Sequence, residues 1–413
     1  MSAFDIRHYQ PTDTLYLWWL GQPDTPRLIG TLATARSVQG VSLRYATDWL
    51  QSGFALSEDL PLIDQTFLPT QAQSAAGAVD DARPDRWGER VIRFLDKPPR
   101  LSVMEYLLYA GDERFGALGV SVSAQTYTPR RMGPLPQLPD VTAIHALVEK
   151  VLRGDAVTEP EQRLIAPGGT LGGARPKAML EWDGAPWVLK FNEPGEAIDM
   201  PLVEHATMTL AAQAGIRVAE TRPIALPNGQ HALAIKRFDR DGPRRIHALS
   251  ARVALMAAGE IMGYPELAQV LRRRGIAGGV ALQHMQELFK RMVFNILMDN
   301  TDDHEKNHVL LMNDRGEYAL APAFDVLPSG QALGYQQMRV GADQADATLH
   351  NALSEHRLFG LKPAEARAAV QQVAHVVNGW KAHFVRAGVS QQDIDALARQ
   401  IDRPFLLDQR HIA

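Results

Sequence analysis

"DNTDDHEKNHVLLM", residues 299–312, admits two readings that exclude one another. Taken as His304-Glu305-x-x-His308 it is the H-E-x-x-H of a zinc protease; taken as Asp302-x-x-x-x-Asn307 it has the spacing of a phosphotransferase catalytic loop. The zinc reading needs both histidines one turn apart on a helix, with Glu305 beside them to activate water and a third ligand further on. The neighbouring residues argue against that helix. Residues 299–303, "DNTDD", are poor helix formers, and "VLLM" runs straight into the turn "NDRG" and then "EYAL". The expected structure is a loop feeding a β-hairpin. An extended metalloprotease pattern would also want glycine at 311, where this chain has leucine.

Phosphoryl transfer asks for a flexible glycine loop over the phosphates, a lysine on them, a carboxylate near the attacking hydroxyl and two ligands for magnesium. These parts occur in the required order. Asp302 and Asn307 stand five apart, and a hairpin after Asn307 ends in "APAFDV", which returns Asp325 to the mouth of the same loop. Oxygen donors such as Asn307 and Asp325 suit Mg²⁺. Upstream, the glycine-rich "PGGTLGGARPKAMLEW" (167–182) precedes Lys190 in the strand-like "WVLKF", and Glu204 on the next helix is placed to hold that lysine by a salt bridge. Each piece alone has a plainer explanation: a solvated lysine, a surface glutamate, a flexible loop, a turn-forming aspartate. Their order along the chain favours the phosphotransferase.

Composition narrows the field further. With 43 Lys+Arg against 47 Asp+Glu and a formal charge of −4, the chain lacks the basic excess of a protein that grips nucleic acid by its own phosphate contacts. There is no cysteine, which removes disulfides, thiolate zinc sites and thiol catalysis. The opening "MSAFDIRHYQPTDTLYLWWLG" has no signal-peptide pattern and no stretch approaches a membrane span, so a cytoplasmic protein without membrane contact is expected.

Short apolar runs between residues 14 and 45 read as strands, and "YTPRRMGPLPQLPDV" (127–141), with four prolines, reads as a linker. Three parts are therefore expected: a β-rich N-terminal subdomain (1–135), a small lobe carrying the glycine loop (136–245) and a helical large lobe with the catalytic loop (246–413). Leu282, Met285, Leu288, Phe289, Met292, Val293, Ile296 and Leu297 repeat at helical spacing and predict one buried face on a helix over 281–298.

"TDDHEKN" (301–307) resembles the "TDxHxKN" loop of the HipA-family serine/threonine kinases, the toxin halves of bacterial toxin–antitoxin pairs. "GVSLRYATDWL", "DARPDRWGERVI", "GDERFGALGV", "GGARPKAML", "AIKRFDR" and "APAFDVLPS" resemble further segments of that family, so the likeness spans nearly the whole chain. It implies an α+β, protein-kinase-like two-lobed fold using ATP and Mg²⁺. It also implies Asp302 as catalytic carboxylate, Lys306 steadying transferred charge, Asn307 and Asp325 as metal ligands, and Lys190 on the nucleotide phosphates. Main-chain groups at Lys236 and Phe238 would hold the adenine, with Gly172 and Gly173 in the phosphate loop. Thr170 falls where family members carry an autophosphorylated serine, although the loop here reads Thr170-Leu-Gly-Gly-Ala-Arg-Pro-Lys177 rather than S-x-x-G-A-x-x-K. His304 becomes a positioning residue, Glu305 a solvated one, and His308 lies past the loop. The implied partners are a small helix-turn-helix, HipB-like antitoxin, operator DNA mainly through that antitoxin, and a protein substrate, an aminoacyl-tRNA synthetase among the family's choices. The alternative is a catalytically weak corepressor that mainly holds an antitoxin on DNA.

Overall fold

Five antiparallel strands form the first sheet of the computed structural model, in the order Thr66–Phe67, Gly40–Tyr45, Arg27–Ala35, Thr14–Trp19, Leu118–Ser121. The structure describes residues 6–130, 134–165, 173 and 175–412. They divide into two units: one of 1–194 with 236–249, the other of 195–235 with 250–413.

In the first unit, alternation along Thr14–Trp19 sends Leu15 and Leu17 inward, and a register shift between Leu17 and Trp18 lets Trp18 be buried as well. Gly30 sits opposite Tyr45, where a side chain would meet the Arg44 carbonyl at 2.2 Å; only glycine lets the two strands close there. The start of the proline-rich stretch expected to be a linker is packed, whereas Pro134 and 137–139 are exposed. Tyr127 is buried against Trp18 and donates its hydroxyl to Asp112, while Arg130 is buried and paired with Asp96. Composition alone does not distinguish such packing from a tether.

A second hairpin of this unit joins Lys177–Trp182 to Ala185–Lys190 through Asp183 and Gly184, both at positive φ (52° and 72°), as a two-residue turn of this twist requires. The strand thus begins at Lys177, inside the stretch read as glycine-rich.

The second unit is mainly helical. Asp199 caps the helix Met200–Gln213, and the hairpin Thr221–Ala225/His231–Lys236 follows around Asn228 and Gly229. The helix Val280–Leu297 lies at its centre, packed on Tyr264–Arg274 and Pro363–Asn378. Seven of the eight apolar residues expected on its buried face are buried; Leu282, in the first turn, is 44% exposed. Burying a face of that size contributes roughly 1.5–3 kcal/mol per large side chain, which makes this helix a firm base for the loop that leaves its C-terminus. No helix among the described residues is long and apolar enough to cross a membrane.

Candidate active site

The helix Val280–Leu297 ends because Asp299 turns the chain at φ 56°, and the next strand, Val309–Met312, begins only after Asn307. Residues 301–308 form turns and irregular backbone with no helix, so His304 and His308 do not share a helix face. His308 is buried, and its Nε2 donates to Asp303 Oδ2 at 2.7 Å. That ring nitrogen is engaged, and the geometry required by the H-E-x-x-H reading is missing.

Burial alternates through the loop: Asp302 is exposed, Asp303 is buried, and Asn307 is buried at 5% exposure. The Asp303 carboxylate also accepts the hydroxyl of buried Tyr264. Burial pushes Asp303 up, but the neighbouring His308 and the two hydrogen bonds outweigh it and hold the carboxyl below its ordinary value. Tyr264 is pushed far up by burial and by that carboxylate. The Asn307 amide donates to the His304 carbonyl at 2.9 Å and the Lys306 amide to His304 Nδ1 at 3.2 Å, which closes a tight turn. Glu305, expected to be solvated, instead pairs with Arg252 at 3.1 Å and is largely covered. At the entrance, Arg403 holds Asp299 at 2.7 Å, and Ser329 donates to the Asp299 carbonyl and bonds Thr301.

Asp325 reaches this region as the hairpin order requires. Arg291 and Arg217, both on Glu287, hold the carbonyls of Ala321 and Leu320, and Ala323 exchanges main-chain hydrogen bonds with Arg217 and Ala219. Asn307, Asp303, His308, Ala323, Phe324 and Val326 then line one small pocket, so Asn307 and the segment around Asp325 are brought together. Asp325 stands at φ 58°, left-handed backbone that aspartate tolerates better than most residues and that concentrates at functional sites.

A divalent cation fits the donors present. Asn307 Oδ1 is a buried oxygen with no hydrogen-bond partner. Leaving such an atom unpaired costs about 1–3 kcal/mol, a penalty a bound cation would remove. Together with a carboxylate at 325 it makes a hard-oxygen pair of the kind Mg²⁺ takes.

The remaining candidates are spread over both units. Lys190 ends its strand with 7% exposure, directly opposite Lys177 in the hairpin register. Lys177 is itself buried and paired with Asp85 at 2.9 Å. Gly173, at φ 93°, leaves just enough room for the Lys177 ammonium, since a Cβ there would lie 3.1 Å from it. Lys236 is exposed, its ammonium 5.9 Å from the Trp187 ring, and Phe238 packs edge-on to Phe115 at 6.0 Å. Glu204 is buried on its helix in the second unit and Lys306 is half-buried. Thr170 and Gly172 lie outside the described residues. Sequence reasoning missed Tyr264 and the use of Asp303 and His308. The doubled aspartate in "TDDH" was a visible signal for Asp303, whereas nothing local pointed to Tyr264, 39 residues away in the chain.

A model of the HipA-like C-terminal domain matches residues 169–380, and a model of the HipA N-terminal domain matches 25–121. The chain belongs to the HipA family. A Sinorhizobium fredii protein that bears a kinase name is 32% identical over 159 residues, which cover 36% of this chain and 38% of that protein. The chain thus spans well under half the length of that curated relative. HipA of Shewanella oneidensis MR-1, solved with HipB and operator DNA, superposes with a TM-score of 0.66 at 17% identity, over 96% of this chain and 97% of the other. At that identity the likeness speaks for the fold: an α+β HipA architecture, β-rich at the N-terminus and mostly helical towards the C-terminus.

Proposed function

We propose that this HipA-family chain is an ATP- and Mg²⁺-dependent serine/threonine protein kinase, the toxin of a toxin–antitoxin pair acting in the cytoplasm. The observation that carries the reading is the unpartnered Asn307 Oδ1, buried beside the segment of Asp325 at the end of a loop that exposes Asp302. Asp302 accepts the proton of the acceptor hydroxyl as its oxygen attacks the γ-phosphorus, and ADP leaves. Lys190 anchors the nucleotide phosphates with Glu204 as its partner, and Lys306 steadies charge on the transferred group. Lys236 and Phe238 offer main-chain groups to the adenine, Gly172 and Gly173 form the phosphate loop, and Thr170 is the autophosphorylation candidate. Held by Asn307 and Asp325, Mg²⁺ would offset the negative charge of the phosphates.

The partners that fit are a HipB-like helix-turn-helix antitoxin and, mainly through it, operator DNA. An overall charge of −4 leaves phosphate neutralisation to the antitoxin. The test is incubation of the purified chain with labelled ATP, Mg²⁺ and a cell lysate, followed by identification of the labelled residue. Label on serine or threonine of a protein, absent with Asp302→Asn, is the expected result. No label with the parent chain leaves the corepressor role as the reading.

A further inference from the structure

We infer that Tyr264, Asp303 and His308 are positioning residues, a buried pin that sets the distance between Asp302 and Asn307. The inference rests on the kinase reading above. Asp303 follows the exposed Asp302 and His308 follows the buried Asn307, so the pin joins the two ends of the stretch that must hold a carboxylate and a metal ligand in register. His308 Nε2 and the Tyr264 hydroxyl both donate to the same oxygen, Asp303 Oδ2. The Tyr264 and His308 rings also meet edge-on, 5.4 Å between centroids.

Each member is anchored elsewhere. Tyr264 is the first residue of the helix Tyr264–Arg274 and is fully buried. Its hydroxyl receives Asn295 of the central helix at 3.5 Å, and Asn295 accepts from Asn300 at 3.1 Å. The His308 carbonyl accepts the Ala251 amide at 2.7 Å. Two helices and a strand start therefore converge on one carboxylate. None of the three side chains is exposed; Asp303 and His308 line the small pocket beside Asn307, but Asp303 Oδ2 is taken up by its two donors, and the trio acts through the residues it flanks. A misplacement of about 1 Å at a reacting group costs roughly a hundredfold in rate, and the turn closed within 304–307 does not include Asp302.

The experiment compares the full chain with Tyr264→Phe, Asp303→Asn and Asp303→Ala, using Mn²⁺ as the probe. Affinity for Mn-ATP and for metal-free ATP is measured by calorimetry, beside kcat and KM for ATP and the melting temperature. Asp303→Ala is expected to lower kcat by roughly tenfold to a hundredfold and to weaken Mn-ATP by about tenfold, with metal-free ATP within twofold. Asp303→Asn keeps an acceptor oxygen and should recover part of both losses. Tyr264→Phe, which removes one hydroxyl and keeps the packing, should show the smaller shift in the same direction. Should Asp303→Ala fail to fold, the other two variants decide. Folded variants with parental kcat and Mn-ATP affinity overturn the pin, as does equal weakening of Mn-ATP and metal-free ATP. A parent chain that binds no Mn-ATP overturns the kinase reading, and the inference with it.

Discussion

Two buried polar clusters, one in each unit, follow opposite rules. In the first unit the Asp239 carboxylate receives four donors: the Gly116 amide at 2.8 Å, Arg237 Nε and Nη2 at 2.9 and 2.7 Å, and Arg240 at 2.8 Å. Burial pushes Asp239 up, but the two guanidiniums dominate and hold it far below the usual carboxylate range. In the second unit the loop 299–308 is just as buried at Asp303 and Asn307, yet Asn307 Oδ1 has no donor. In the first cluster the Asp239 carboxylate is fully engaged within the chain, and the cluster acts as a clasp between 114–116 and 237–240. The second satisfies Asp303 Oδ2 but leaves His308 Nδ1 and Asn307 Oδ1 without partners, the latter where a ligand is needed. The difference teaches that neither burial nor an unmet valence alone marks a site, since Arg114 Nε and Nη2 beside the first cluster are also unpartnered; what sets Asn307 apart is an unmet oxygen in the pocket shared with the segment of Asp325.

The largest expected effect separates function from stability. Asp302→Asn should lower phosphoryl transfer by roughly 10²–10⁴-fold, with ATP affinity within a few-fold and an unchanged melting temperature, because Asp302 is exposed. Transfer at the parental rate would remove Asp302 from the mechanism. The mirror experiment is Asp239→Ala, which strands Arg237 and Arg240 without their carboxylate. It should cost about 3–5 kcal/mol in denaturant unfolding, and a loss under about 1 kcal/mol would show that the clasp is not what holds those segments.

His247 gives a test by pH. Its ring lies against Trp19 and Phe54, with Nε2 donating to the Leu56 carbonyl at 2.9 Å, and burial lowers its pKa from 6.5 to about 4. Above pH 6.5 the ring is neutral folded and unfolded, and its contribution is fully present. Below that, the unfolded chain gains a proton that the folded ring refuses, so stability falls by about 1.4 kcal/mol per pH unit until the folded pKa is reached. His247→Gln should flatten the fall in melting temperature between about pH 6.5 and 5, above most carboxylate titration; an unaltered slope would exclude His247 as its source.

Asn307→Ala sharpens the contrast from the other side. Since its Oδ1 makes no hydrogen bond, stability should change by no more than about 1 kcal/mol, while Mg-ATP affinity measured by calorimetry drops on the order of tenfold or more. A large stability loss with unchanged affinity would turn that oxygen into a structural one. At the small end, Arg36→Ala removes an ion pair with Asp13 in which both side chains are at least half exposed, 85% and 50%. Its effect on urea unfolding should stay within about 0.5 kcal/mol, and a larger one would mean that exposed charge matters here as buried charge does.

His308 separates what acts locally along the chain from what acts across it. The sequence excluded a zinc helix correctly, since helix propensity and turn residues act over a few positions and are readable there. From the same local view His308 only lies past the loop; its burial and its bond to Asp303, like the pairing of Glu305 with Arg252 and the packing of Tyr127 on Trp18, come from distant parts of the chain.

What the sequence determined by itself was local and periodic. The antiparallel N-terminal strands, the buried face of the central helix, the loop-then-hairpin form of 299–320 and the grouping of Asn307 with the segment of Asp325 all follow from alternation, helical spacing and turn chemistry. What only the tertiary structure decided was partnership at a distance. That Tyr264 meets Asp303, that Lys177 meets Asp85 across 92 residues and that Asn307 Oδ1 is left without a donor depend on which side chains converge in space. Hydrogen bonds and ion pairs act over about 3 Å whatever the separation along the chain, so no period or motif in the sequence encodes them.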